Sequence, residues 1–371
     1  MYSESDLANA VEAGVLSPEA AAAFRNHIAA SRSAPAVDEE HFKLLTGFND
    51  IFVAIAAALI LVAVGWIGAY IGQHLAGQDF GGPRVAGTAA ACGAFAVAIT
   101  SWLLAEYFTR RRRMALPSIL LMFGFVGGIG VGLSGVLAAN GPWIEETLHL
   151  TTNAARQQVA GSLFAGVGLI TAIAAWVHWQ RFMVPITVAA GAMAVVGIAI
   201  SLIVGFLPEA RDWMNVMLLV AGVVMFVFAM RWDMSDLERR TRRSDVAFWL
   251  HLAAAPLIAH PIFRMLGVLE GDASMGIAAV VIALYVVFAV VALAVDRRAL
   301  LVSSLVYVLW AMYALFQHSG AVELAAALTA LVIGSALLTL SAFWQPMRRG
   351  VVGLLGGFEN RLPPTQQPAL A

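Results

Sequence analysis

Trp179-Gln-Arg-Phe182 is the short stretch on which the reading of this chain turns. It falls near the middle of residues 158–207, where Arg181 is the only charged side chain. A helix crossing the hydrocarbon of a bilayer needs about 20 apolar residues, so this stretch is too long for one crossing and sufficient for two. Read as a loop, Trp179–Phe182 separates a span at 158–178 from another at 183–207. Read as part of one long span, it would invert the sidedness of every later loop.

The same criterion, carried outward, gives ten runs: 51–73, 85–108, 115–139, 158–178, 183–207, 214–230, 246–266, 275–295, 300–317 and 322–344. An open sheet would leave backbone groups unpaired in lipid, and barrel strands would alternate over about 10 residues. The expected class is therefore all-α, a polytopic transmembrane bundle of about ten spans. Composition agrees: 61% of residues are apolar and 12% charged, with a mean hydropathy of +0.83, against about half and about a quarter in a soluble domain. The net charge of −1 gives no reason to expect a nucleic-acid partner. The single cysteine, Cys92, rules out an intrachain disulfide, and neither a metal nor a cofactor motif is present.

Charge fixes the expected orientation. Eighteen of the twenty-two basic residues fall before the first span, in alternate gaps, or after the tenth. They are Arg25, Arg32 and Lys43; Arg110 to Arg113; Arg181; Arg231, Arg239, Arg240, Arg242 and Arg243; Arg297 and Arg298; and Arg348, Arg349 and Arg361. The remaining gaps hold Arg84, Arg156, Arg211 and Arg264 among acids such as Glu145, Glu146, Glu209, Asp212, Glu270 and Asp272. Basic residues are retained on the cytoplasmic side of a membrane, so both termini are expected inside. Trp176, Trp179, Trp232, Trp249 and Trp344 fall at the inner ends of the runs, and Trp143 and Trp213 at the outer ends, as interfacial belts would.

Residues 1–47 read as a cytoplasmic helical hairpin and tether, 48–345 as the bundle and 346–371 as a cytoplasmic tail. Asp6 to Ala13 is closed by Gly14, and Ser17-Pro-Glu19 opens a second helix with a cap, an early proline and an early acid. No signal-peptide pattern precedes the first run, which is expected to be an uncleaved anchor. The segment Glu12-Ala-Gly-Val-Leu-Ser-Pro-Glu19, Gly47-Phe-Asn-Asp50 entering the first span, and Ser341-Ala-Phe-Trp-Gln-Pro-Met-Arg-Arg349 with Leu362-Pro-Pro364 beyond the last carry a resemblance. They resemble uncharacterised bacterial multi-pass predicted-membrane-protein families, alphaproteobacterial members in particular. The likeness implies a bacterial inner membrane and brings no activity with it.

Two features inside the spans point to function or packing. Gly124, Gly128 and Gly132 recur every fourth residue in the third span, a spacing that lets helix backbones approach closely. The seventh span holds the deepest ionisable residues, His251 and His260, together with Pro256 and Pro261. Intramembrane ionisable groups are functional candidates. These histidines are read either as hydrogen-bonded packing residues or as the lining of a cavity at a proline-broken helix. In a regular helix their separation gives about 13 Å of rise and half a turn, so they would not share a metal. Glu106 and Arg110 are spaced for an i,i+4 pair. Gly132-Leu-Ser-Gly135 resembles the serine motif of rhomboid intramembrane proteases, with His260 as the base that resemblance would require. The chain departs from that family at Phe263, where a glycine is expected, and in the direction of both helices.

Three functions remain open on these residues. The first is a small-molecule or lipid-handling transporter, which requires a polar cavity reaching His251 or His260. The second is a scaffold or accessory subunit whose basic loops, 231–245 above all, dock a cytoplasmic protein or anionic lipid. The third is an intramembrane serine hydrolase. No residue is assigned a catalytic role, and no oligomeric state follows.

Overall fold

The computed structural model describes residues 7, 10–31, 48–77, 82–237, 239, 241–267, 275–318, 322–356 and 362. The chain separates into two compact units, Met1–Phe42 and Lys43–Ala371. In the first, Gly14 adopts a left-handed φ of +69° and closes a short helix, with the Val15 amide on the Ala10 carbonyl at 2.9 Å. Ser17 Oγ then accepts from the Ala20 amide at 3.1 Å and opens helix Pro18–Ser31. Glu19 in its first turn is held below the ordinary glutamate pKa by a backbone hydrogen bond and by Ser17. Residues 10–12 and Pro18–Ser31 are helical, joined through the turn at Gly14. Asp6, Arg32, the tether to residue 47 and most of the tail beyond 356 lie outside the described residues.

The second unit contains ten helices long and apolar enough to cross a membrane: Asn49–Ala76, Pro83–Arg111, Ala115–Thr147, Asn153–Phe182, Ile186–Phe206, Pro208–Met234, Arg242–Met265, Met275–Val295, Ala299–Gln317 and Ala325–Ala342. They correspond one to one with the ten apolar runs, and no strand occurs among the described residues. The protein is thus a multi-pass helical membrane protein. At the decisive stretch the reversal comes slightly later than the polar residues suggest. Trp179–Phe182 completes the last turn of the fourth span, and the chain turns at Met183, whose φ is +54°. Pro185 then starts the fifth span, because its fixed φ suits a helix entry. Arg181 is left free to reach sideways.

Where it reaches shows that the basic gaps share one end of the bundle. Arg181 forms two bonds to Glu106 at the close of the second span, 2.7 and 3.0 Å. Glu106 also meets Arg110 at 3.4 Å, the spacing-derived pair, which is the longer of its contacts. Arg239 and Arg348, from gaps further along, both converge on Asp296.

Packing between spans one, two and three is built on small residues. A Cβ on Gly128 would lie 2.7 Å from the Ala94 carbonyl, one on Gly132 2.6 Å from the Phe95 ring, and one on Gly124 against Ser101 Oγ. The stripe thus faces span two. Gly87 and Gly135 continue it toward the other end, each touching the opposite backbone. Span three is not one regular helix: a π-helical turn, Phe123–Gly127, interrupts it just where the stripe begins, and another, Glu106–Arg111, ends span two. Span seven packs against spans five, six and nine, and more than half of its apolar window is buried. Both of its prolines sit within an uninterrupted helix, Arg242–Met265, so the seventh span is not a broken helix. Helix Trp344–Leu354 docks through Trp344, Arg348 and Val352, buried at four-residue spacing.

Candidate functional site

Among the described residues, the densest concentration of buried charge lies at the arginine-rich end of spans six to ten. Its anchor is Asp233, which closes span six one residue after Trp232 and is 2% exposed. An isolated carboxylate in such a place would be costly, and three donor groups meet it. Arg297 approaches fork-on, Nη2 to Oδ1 at 2.6 Å and Nε to Oδ2 at 3.3 Å. His251 Nε2 lies 2.9 Å from Oδ2. Because a carboxylate only accepts, that nitrogen donates, and Nδ1 is the ring's other atom. Nδ1 is buried with no hydrogen-bond partner among the described residues.

The local fold explains why Arg297 can enter. Span eight ends at Val295, and Asp296 takes a left-handed φ of +59°. This backbone state costs a non-glycine residue about 1–2 kcal/mol, and four contacts at Asp296 offset it. Arg239 Nη1 donates to its Oδ2 at 2.8 Å and Arg239 Nη2 to its carbonyl at 3.2 Å. Trp344 Nε1 donates to Oδ1 at 2.7 Å, and Arg348 Nε lies 3.6 Å from the same oxygen. The turn directs Arg297 inward, where Nη2 also donates to the Ser244 carbonyl at 3.1 Å and the guanidinium lies over Phe248. Arg298 points the other way, 4.6 Å above the Trp344 ring. One three-residue turn, Asp296-Arg-Arg298, therefore ties together spans six, seven and eight, the six–seven gap and the terminal helix.

The crevice between Phe226, His251, Val291, Val295, Arg297 and Leu300 leaves no room for a water molecule. His251 is 2% exposed, and the edge of its ring meets Phe226. His260, nine residues on, faces span nine instead. Its Nδ1 is 2.6 Å from the Tyr307 hydroxyl, and Tyr307 stacks on Phe263. The two histidines thus serve different interfaces. Pro256 is exposed and Pro261 buried; neither opens the helix. Ser134 donates to the Gly130 carbonyl at 2.9 Å, and no hydrogen bond joins it to His260 among the described residues. A serine nucleophile needs its base within reach, and this pair does not provide it.

The basic loops contain more than orientation signals. Arg239, Arg297 and Arg348 are structural partners of buried or half-buried acids, a role that alternation in the sequence hides. Trp344 is 2% exposed and is a hydrogen-bond donor, whereas Trp143, Trp176 and Trp213 are open to the surroundings. A further histidine, His178, is buried beside Trp179 at the end of span four. It bonds Thr187 Oγ1 at 3.1 Å and is enclosed by Trp102, Phe125 and Phe182. No protein-family model, curated protein or solved structure matches this chain.

Proposed function

We propose that the protein is a membrane scaffold or accessory subunit whose arginine-rich end forms a fixed platform for an acidic partner. One observation carries this reading: the polar groups a carrier would place along a path are engaged with one another, and the crevice beside His251 excludes water. Around that paired interior the surface keeps its positive charge. Arg111, Arg113, Arg242, Arg243 and Arg349 are exposed, with no ion pair to a carboxylate among the described residues. Fixed charges of one sign on a rigid support favour a complementary partner and suppress wrong ones. Retention of basic residues inside supports placing this end in the cytoplasm of a bacterial inner membrane.

Affinity purification of the full chain from native membranes tests this. An acidic partner should be retained at low salt, released as the Debye length shortens, and lost with Arg242→Gln/Arg243→Gln or on deletion of residues 1–42. Purification of the chain alone, unchanged by either alteration, would count against the proposal. A carrier is the second reading, favoured by the unpartnered Nδ1 of His251 beside a crevice between spans six, eight and nine. It requires the Asp233–Arg297 pair to open, and solute flux in proteoliposomes abolished by Arg297→Met would establish it.

A further inference from the structure

Span ten and the helix after it meet at a single residue. Phe343 caps both. Its φ of −105° and ψ of 20° end Ala325–Ala342, with its amide on the Thr339 carbonyl at 2.9 Å. Its own carbonyl accepts from the Met347 amide at 3.0 Å and opens Trp344–Leu354. Pro346 falls in the first turn, where a helix has no use for the amide that proline lacks. The second helix packs chiefly on span eight and little on span ten, so it does not fold back along the span it follows. At about 100° per residue its side chains divide into three stripes, about a third of a turn apart. The first, Trp344, Arg348 and Val352, is buried and carries Trp344 Nε1 and Arg348 Nε to Asp296. The second is apolar and open: Phe343, Met347 and Leu354 are 56%, 44% and 89% exposed. The third holds Arg349 and Gly353, also exposed.

We propose that Trp344–Leu354 is an interfacial anchor: it lies at the surface of the leaflet on the arginine-rich side, its apolar stripe among the first acyl carbons of the phospholipids and Arg349 among their headgroups. Lipid is the occupant that its place in the chain selects. The helix begins directly after Phe343, which ends a membrane-spanning helix, so its depth is that of the boundary between hydrocarbon and headgroups. Phe343 joins the stripe to span ten, which is open along most of its surface, Leu331 and Leu338 included. Charge keeps to the other two sides: Arg348 turns to Asp296 and Arg349 to the surroundings, so none enters the apolar stripe. A helix on a bilayer surface has this division. Its apolar face reaches about 5–10 Å into the boundary between headgroups and acyl chains, and its basic face stays with the headgroups. Membrane attachment and the charge network around Asp296 then share one helix.

Site-directed fluorescence of the full chain, purified alone into phospholipid nanodiscs, tests the assignment. In a Cys92→Ala background, Met347→Cys, Leu354→Cys and Arg349→Cys each carry one nitrobenzoxadiazole label. At Met347→Cys and Leu354→Cys the emission maximum should lie to the blue of that at Arg349→Cys. A nitroxide near the carbonyl end of the acyl chain should quench both more than one near the methyl end. The label at Arg349→Cys should emit as in water and lose intensity to aqueous iodide. Circular dichroism identifies the folded variants; if Met347→Cys does not fold, Leu354→Cys reads the same stripe. Emission at Met347→Cys and Leu354→Cys that matches Arg349→Cys and is open to iodide would place the stripe in water and overturn the proposal. Blue-shifted emission that neither lipid nitroxide quenches would assign the stripe to a second copy of this chain and equally overturn it. Stronger quenching of all three labels by the methyl-end nitroxide would show a helix sunk in the hydrocarbon, with the same consequence.

Discussion

Replacing Arg297 with methionine removes three hydrogen bonds at once: two to Asp233, at 2.6 and 3.3 Å, and one to the Ser244 carbonyl at 3.1 Å. Methionine roughly conserves the buried volume, so the cost is chiefly electrostatic. Asp233 would keep only His251 as a donor, in a place 2% exposed. Breaking a buried pair by deleting one partner costs about 3–5 kcal/mol, a large share of the about 5–15 kcal/mol that holds a typical domain. Arg181→Met is the internal comparison. Its bond to Glu106 is equally short at 2.7 Å, yet the two side chains are 39% and 32% exposed, and exposed pairs contribute about 0–1 kcal/mol. Exposure, not distance, should decide the ranking. Adding Asp233→Leu to Arg297→Met removes the stranded carboxylate. The double variant should recover most of the loss, short of about 1–3 kcal/mol for the now unpaired Nε2–H of His251. Equilibrium unfolding in mixed micelles, followed by circular dichroism, measures the wild type, Arg297→Met, Asp233→Leu, their double variant and Arg181→Met. An Arg297→Met loss below about 1 kcal/mol, or a double variant as unstable as the sum of its singles, would refute the reasoning.

Three further outcomes are expected. Gly128→Ala places a Cβ 2.7 Å from the Ala94 carbonyl and should destabilise the bundle by about 1–3 kcal/mol. Gly166→Ala, with nothing within 4 Å, should be neutral or stabilise by up to about 1 kcal/mol in the same unfolding assay. Trp344→Phe keeps the ring and deletes the 2.7 Å bond to Asp296; it should cost about 1.5–3 kcal/mol and expose helix Trp344–Leu354 to limited proteolysis. In a Cys92→Ala background, an impermeant maleimide added to intact cells should label His149→Cys and spare Ser235→Cys, as the cytoplasmic placement of the arginine-rich end requires.

The architecture was legible because lipid imposes a length on every crossing and a charge asymmetry on every loop. Ten runs and ten helices therefore coincide, even at Trp179–Phe182, where only the turn's position moved. There the polar residues complete a helix, and the reversal depends on Met183 and Pro185, which hydropathy does not register. The four-spaced glycines of span three lie against span two, a neighbour that their spacing alone does not name. The ion-pair network was hidden for a different reason. Asp233 and Arg297 are 64 positions apart, and pairing across that distance leaves no periodic trace. Arg297 also fits the orientation rule, which accounts for its charge without requiring a partner. A signal did exist: an acid stands beside two arginines in a gap of only a few residues, and a lone acid closes span six. The prolines of span seven misled in the opposite direction. They suggest a break, but neighbouring helices support the backbone around them and the helix runs on.

The central claim is that the arginine-rich end is sealed by charge pairing and is not the mouth of a water path. Cysteine accessibility beside His251 addresses it most directly. With Cys92 replaced by alanine, Ala292→Cys and Leu300→Cys each put a small thiol on the wall of the crevice, at positions 1% and 6% exposed. Treated with a small, charged methanethiosulfonate in right-side-out and in inverted vesicles, both thiols should remain unmodified. Rapid modification of either from either side would reveal water at His251 and contradict the account.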